Sequence, residues 1–338
     1  MGELHRVPKP GKFLLSIALL TALLAACNNP AEPDPQPTPP GRVVAWFNGL
    51  SNTVDLYFPR SDSLVTMAYI TGDVPSDILS PEDGRIAVLS SFGATVQVFD
   101  IDMTGGDVFT IDLPSGSNPY SMSLDGINLW VTLLNTGQVA RTSPAAGASV
   151  ELYYIGGNPT SIAAVGDLVL VGHGTWPDST VRGGITVLNA STGEILDSIP
   201  TPDNVTSMRY FPETGMVHAV TTTYTGDGMI SIINPVSLQI MAQVPTGGAP
   251  SAPVMAGSVF ASGDGFFSGG IFVYDETGSL LSTWDTGVSP GGLGLSGDTL
   301  YIADFGADRI YLADWTSRTM LDTLVSGDGP QGMVVVER

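Results

Sequence analysis

The chain has 338 residues, 43% of them hydrophobic, with 41 glycines and 25 prolines. This is enough for one large domain or two ordinary ones, and so many glycines suit short strands joined by tight turns. Twelve basic against 33 acidic residues, a net charge of −21, argue against nucleic acid and anionic lipid headgroups as partners. The single cysteine rules out an intrachain disulfide or a cysteine-built zinc site.

Arg6, Lys9 and Lys12 open the chain with positive charge, and residues 13–26 follow as an apolar run too short to span a bilayer. The run ends Leu24-Ala25-Ala26-Cys27. This resembles the lipobox of bacterial lipoprotein signal peptides, which implies cleavage before Cys27 and a lipid on its thiol; an ordinary signal peptide with an incidental cysteine is the alternative. Several acyl chains on one cysteine hold a protein stably at a membrane, so the membrane is an expected partner through Cys27. Asn28 follows the cysteine, and similarity to Gram-negative sorting patterns then points to the outer membrane or cell surface of the envelope.

Six of residues 28–41 are proline. Such a stretch builds no core and favours extended polyproline geometry, at ~3.1 Å per residue a tether of up to ~40 Å. The expected organisation is a signal peptide at 1–26, a lipidated cysteine and tether at 27–41, and a folded domain at 42–338. Removing residues 1–26 takes away Glu3 and three basic residues, leaving nine arginines against 32 acidic groups. That surface fits cation-rich surroundings, or simply keeps an exposed protein soluble.

From residue 72 onward one signature returns: GDVP (72–75), GSNP (116–119), GGNP (156–159), GGAP (247–250), GVSP (287–290) and GDGP (327–330), with a worn copy, PDNV, at 202–205. A period of about 40–45 residues built from short strands predicts propeller blades. Each unit carries a strand ending in Asp or Asn, among them VQVFD (96–100), ITVLN (185–189), ISIIN (230–234), IFVYD (271–275) and IYLAD (310–314). Apolar runs precede these strands, as in VVAWFN (43–48) and TLYIAD (299–304), and others follow, as in EILDSIP (194–200) and LQIMAQV (238–244). A last strand follows each Gly-x-x-Pro turn. The pattern predicts an all-β, seven-bladed propeller of four-stranded antiparallel blades.

These motifs resemble the YVTN-repeat family of seven-bladed propellers: a strand of LYVxN type, a strand of VxVID type, a strand ending in V-G-x-x-P, and an inner strand ending near DG. SPEDG (80–84), SLDG (123–126) and SGD (296–298) match the last element. The resemblance covers residues 42–338 and speaks to architecture more than activity. It is weakest in the third unit, around Arg141, and in the fourth, which has lost Gly-x-x-Pro and gained an insertion at 174–183. The repeat starts at Val43 with a second strand and ends at 334–336 with a first strand, so the last strand should complete the first blade and close a monomeric ring.

Propellers bind through loops at one end of the ring. The loops between second and third strands are long in units four to six and bring His173, Trp176, Tyr224, Phe266 and Phe267 toward one sector, with Phe305 on the next loop. Aromatic residues dominate interface hot spots, so this set is a candidate patch for a protein or glycan; the alternative is that the rings fold back and plug their own loops. Asp178, Asp227, Asp264, Asp304 and Asp308 accompany the loops. None has EF-hand spacing, and Asp227 and Asp264 are only weak cation candidates. No nucleophile elbow, phosphate loop or cofactor motif is found. The YVTN resemblance extends to lactonase-like propellers, for which Arg209 and His173 would be the channel-mouth candidates, yet no acid–base constellation assembles around them. His218, inside an apolar strand, reads as a core residue. The expectation is a non-enzymatic, cofactor-free binding or scaffolding module of the cell envelope, with an envelope lactonase as the alternative.

Overall fold

The computed structural model describes residues 41–82, 84–102, 109–175, 183–202, 204–223, 225–265 and 269–337. Residues 41–338 form one compact unit. Chain order gives β1 (Arg42–Asn48), β2 (Thr53–Phe58) and β3 (Ser63–Ile70); then β4 (Pro75–Leu79), β5 (Arg85–Ser90), β6 (Thr95–Asp100) and β7 (Phe109–Asp112). Next come β8 (Pro119–Leu124), β9 (Leu129–Leu133), β10 (Gln138–Thr142) and β11 (Glu151–Tyr154), and β12 (Pro159–Val165), β13 (Leu168–His173), β14 (Ile185–Asn189) and β15 (Ile195–Ile199). The chain continues with β16 (Val205–Phe211), β17 (Met216–Thr221), β18 (Met229–Asn234) and β19 (Gln239–Pro245), then β20 (Val254–Ala256), β21 (Val259–Gly263), β22 (Gly270–Asp275) and β23 (Leu280–Asp285). It ends with β24 (Pro290–Ser296), β25 (Thr299–Asp304), β26 (Arg309–Asp314), β27 (Thr319–Val325) and β28 (Pro330–Glu337).

The strands make seven antiparallel sheets of four, each a blade of a ring. Blade 1 runs β28-β1-β2-β3, and blades 2 to 7 are the successive quartets from β4 to β27. The terminal strand closes the ring as its phase requires: β28 pairs antiparallel with β1 from Arg42↔Glu337 to Asn48↔Pro330. Five inner strands begin at the proline of a Gly-x-x-Pro copy, and β16 begins at Val205 of the worn one. That copy works because Asn204 takes the left-handed backbone (φ 62°) that Val74, Asn118 and Gly329 supply elsewhere just before the strand.

Seven clusters of buried apolar side chains hold the ring, one at each blade–blade interface. Between blades 7 and 1, Trp46 is fully buried with Tyr301, Ile310 and Val44, and its indole N–H donates to Ser326 Oγ at 2.8 Å. Each buried large apolar side chain contributes about 1.5–3 kcal/mol, so stability is spread around the ring. The outer strands face solvent, and bulges interrupt their pairing in blades 1, 4, 5, 6 and 7. A bulged edge twists away from foreign strands.

The resemblance is weakest at the third and fourth units, yet blades 3 and 4 form all four strands. The shortened inner strand is in blade 6, where GGAP is intact. Pro253, which has no N–H to give, interrupts the pairing between the Pro250↔Asp264 bridge and Val254, and β20 is three residues long.

Candidate functional site

Inner strands run from the Gly-x-x-Pro turns to the opposite face, because Pro330 pairs with Asn48 and Glu337 with Arg42. The turns and the loops between second and third strands therefore share one face, called the upper face here; β1 starts on the lower face.

Polar side chains from adjoining strands and loops tie the upper-face turns down. Gln97 Oε1 accepts from Gly72 N at 2.6 Å, Asn52 Oδ1 from Val74 N at 3.0 Å, and Asp55 Oδ2 from Gly327 N at 3.0 Å. Asp308 Oδ1 accepts from Gly329 N at 2.9 Å, and Asp264 Oδ1 from Ala249 N at 3.1 Å. Asp304 accepts from the amides of Gly306 and Ala307 within its own loop. Asp227 accepts from Thr223 N, Thr223 Oγ1 and Thr222 Oγ1, and the Thr223 hydroxyl bond is the leading reason its pKa lies below the ordinary carboxylate value. Carboxylates that sequence reading offers as cation ligands thus cap turn amides. Asp264 is buried against Gly248, where an added Cβ would lie 2.4 Å from its Oδ2. Among the described residues no group of three or more His, Cys, Asp and Glu side chains is placed to hold a metal.

Of the six candidate binding residues, Trp176, Tyr224, Phe266 and Phe267 lie outside the described residues, as do Cys27 and Asp178. His173 is buried rather than displayed: Nε2 is 2.8 Å from Thr186 Oγ1, Nδ1 is packed beside Gly157, and burial lowers its pKa. Phe305 is 37% exposed and lies across Gly329, where a Cβ would meet its ring at 2.7 Å. Gly329 is left-handed at φ 70° and also seats Leu50. Two exposed residues of this face are missed by the sequence reading: Leu50, 66% exposed, and Phe92, 76% exposed. A signal existed, since each stands two residues beyond a second strand, after Asn48 and Ser90.

Inside the ring, inner strands carry two opposed charges, Asp77 on β4 and Arg209 on β16. Asp77 Oδ2 accepts from Met122 N at 2.7 Å and from Ser121 Oγ at 3.2 Å, so it staples blade 2 to blade 3. Burial nonetheless pushes its carboxyl up to about 6, against the pull of these hydrogen bonds and of Arg209. Arg209 is exposed by surface area on its inner strand, although protein surrounds its guanidinium closely enough to shift it. Burial lowers its pKa, and Asp77 and Glu213 oppose that shift. Its Nη1 donates to Pro253 O at 3.3 Å, steadying the segment that shortens β20. Asp77 and Arg209 interact at a distance without forming an ion pair. Arg209 and His173, the two lactonase-type candidates, are on separate strands and have separate partners.

His218 is a fully buried residue of the interface between blades 5 and 6. Nδ1 is 2.9 Å from the Tyr274 hydroxyl, and the ring packs on Phe260 at 4.3 Å and Phe211 at 4.8 Å. Burial pushes its pKa down to about 4.

No family model matches the chain, and no curated protein matches it. Solved structures do. A candidate 6-phosphogluconolactonase of Bacteroides fragilis matches with a TM-score of 0.68 at 13% identity, over 90% of this chain and 100% of that one. These likenesses show the fold. AztD of Citrobacter koseri matches with a TM-score of 0.63 at 10% identity, over 88% and 98% of the two chains. Hydrazine synthase of Kuenenia stuttgartiensis gives 0.62 at 15% identity, over 76% and 88%. One propeller architecture thus serves proteins of very different names, and function has to be argued from the site.

Proposed function

We propose that this chain is a lipid-anchored protein of the cell envelope whose propeller is a binding module, with the upper face as its contact surface for a protein or glycan. The observation that carries this reading is the display of Leu50, Phe92 and Phe305 on the face opposite the start of β1. Large apolar side chains left in water on one face are characteristic of interaction surfaces. β1 starts at Arg42 on the lower face, the end of the ring away from these side chains. The test is capture from envelope extract by residues 27–338 with Cys27→Ser, beside Leu50→Ser/Phe92→Ser and Trp176→Ala/Phe266→Ala variants. A partner held by the parent and lost by a variant of unchanged melting temperature supports the reading. Equal capture by all three sinks it. Acyl labelling of the full chain that disappears in Cys27→Ser tests the anchor separately.

A second reading, a lactonase-type hydrolase acting in the channel, draws on Asp77. A carboxyl titrating near 6 is suited to proton transfer near neutral pH, and the structural neighbour from Bacteroides fragilis is described as a candidate lactonase. Both Asp77 oxygens already accept hydrogen bonds from Ile78, Met122 or Ser121. Hydrolysis of 6-phosphogluconolactone by the parent but not by Asp77→Asn would favour this reading; no turnover above the uncatalysed rate would remove it.

A further inference from the structure

We infer that the upper face of blades 7, 1 and 2 is a docking strip for a cationic, apolar segment of a partner protein. This rests on the binding-module reading and narrows it to a sector and a chemistry. The strip is continuous. Phe305 lies on Gly329, which also seats Leu50, and Leu50 N donates to Asp328 O at 3.1 Å. Two residues on, Asn52 binds the next turn through Val74 N at 3.0 Å, and Phe92 N donates to Asp73 O of that turn at 3.1 Å. Beside Phe92, Ser91 Oγ donates to Pro119 O at 2.7 Å, which leads to Tyr120. Phe305, Leu50, Val74, Phe92 and Tyr120 are each at least 37% exposed, so five large apolar side chains follow one another across adjacent turns. Val74 is also a β-branched residue held left-handed at φ 57°, a conformation such side chains rarely adopt.

Charge decides what fits. Asp73 and Asp328 are exposed along the strip, and Asp55, Asp304 and Asp308 lie within or beneath it. Arg309, at the start of β26, is the one cation of these turns and loops among the described residues. An apolar strip set in a negative field attracts a segment that offers both apolar side chains and Lys or Arg, and repels an acidic one. In sequence these turns belong to blades 7, 1 and 2, whereas Trp176, Tyr224, Phe266 and Phe267 belong to the segments of blades 4, 5 and 6.

The experiment is a titration of labelled 12-residue peptides against residues 27–338 with Cys27→Ser, read by fluorescence anisotropy. The ring closes within 41–338, so this chain keeps the whole fold. The probes are a peptide alternating Lys and Leu, one alternating Lys and Ser, and one alternating Glu and Leu. The Lys/Leu peptide should bind saturably and weaken about tenfold in Leu50→Ser/Phe92→Ser, with unchanged melting. In Asp73→Asn/Asp328→Asn its binding should lose much of its salt dependence, while Trp176→Ala/Phe266→Ala should leave it unaltered. Equal binding of Lys/Ser, equal binding of Glu/Leu, insensitivity to Leu50→Ser/Phe92→Ser, or no saturable binding each overturns the proposal. If native capture depends on Leu50 and Phe92 while no peptide is preferred, the binding module stands and only the cationic partner falls.

Discussion

The two faces of the ring handle charge in different ways. On the lower face arginines are matched: Arg42 with Glu337 at 2.7 Å, Arg85 with Glu82 at 2.8 Å, and Arg141 with Glu151, while Arg141 also caps the carbonyls of Ala190 and Ser191. Arg318 donates to Ser282 Oγ of the next blade at 2.8 Å. On the upper face carboxylates cap turn amides, and exposed apolar residues stand among them. The lower face has its own isolated exposed apolar residues, Ile127 and Val236, on separate blades. The upper face, over blades 7, 1 and 2, leaves apolar area and negative charge for another molecule. In a ring of near-identical blades, the difference between the ends lies in the loops.

The largest expected effect comes from a change that removes both faces together. Deleting residues 331–338 takes away β28, and with it the lower-face Arg42–Glu337 pair and the buried Met333 and Val336. The ring then has an open blade. Thermal unfolding should come about 10 °C or more earlier, with loss of a single cooperative step. A melt equal to that of the full chain would show that closure is dispensable.

A middle-sized effect separates the channel from the blade interfaces. Asp77 titrates near 6 when folded against 3.8 for a free carboxyl, so the folded state holds more protons in that interval and this group favours folding as pH falls through about 6. His218 has the opposite sign. Its pKa falls from 6.5 to about 4, so the stability linked to its neutral form is lost as pH falls from 6.5 toward 4. Asp77→Asn should therefore steepen the loss of stability between pH 6 and 4, and His218→Leu should make it shallower. Urea midpoints at several pH values check this, and equal slopes in all three proteins would refute the burial argument.

The smallest effect concerns the matched lower face itself. Arg42 and Glu337 are both about half exposed, and exposed ion pairs contribute about 0–1 kcal/mol. Arg42→Ala should shift the urea midpoint by no more than that and leave peptide binding on the upper face unaltered. A larger loss would mean that the pair secures the β28–β1 seam.

Much of the fold was legible because its signals are local. Alternation in VQVFD and IYLAD, the tight turn before the inner strand (left-handed at Val74, Asn118, Asn204 and Gly329), and the 40–46-residue spacing are signals carried by near neighbours along the chain. PDNV was readable as a worn turn because Asn204 keeps the backbone that glycine or asparagine gives elsewhere. Pro253 misleads in the other direction: GGAP looks intact, yet one proline three residues later shortens β20. The candidate site was less legible, because exposure depends on what the neighbouring blade covers. His173 and Phe305 both stand at or just beyond the end of a second strand in loops of similar composition. One is covered by Gly157 and Thr186, and the other lies open over Gly329.

By itself, then, the sequence determined the number of blades, their phase and the strand that closes the ring, because hydrogen-bonded pleats and turns need only near neighbours along the chain. Only the tertiary structure decided that Asp264 and Asp308 cap turns, that Asp77 and Arg209 influence one another's charge from separate blades, and that Leu50 and Phe92 continue one strip with Phe305. Those relations join residues up to 279 positions apart, such as Leu50 and Gly329, and they come into being when the last strand meets the first.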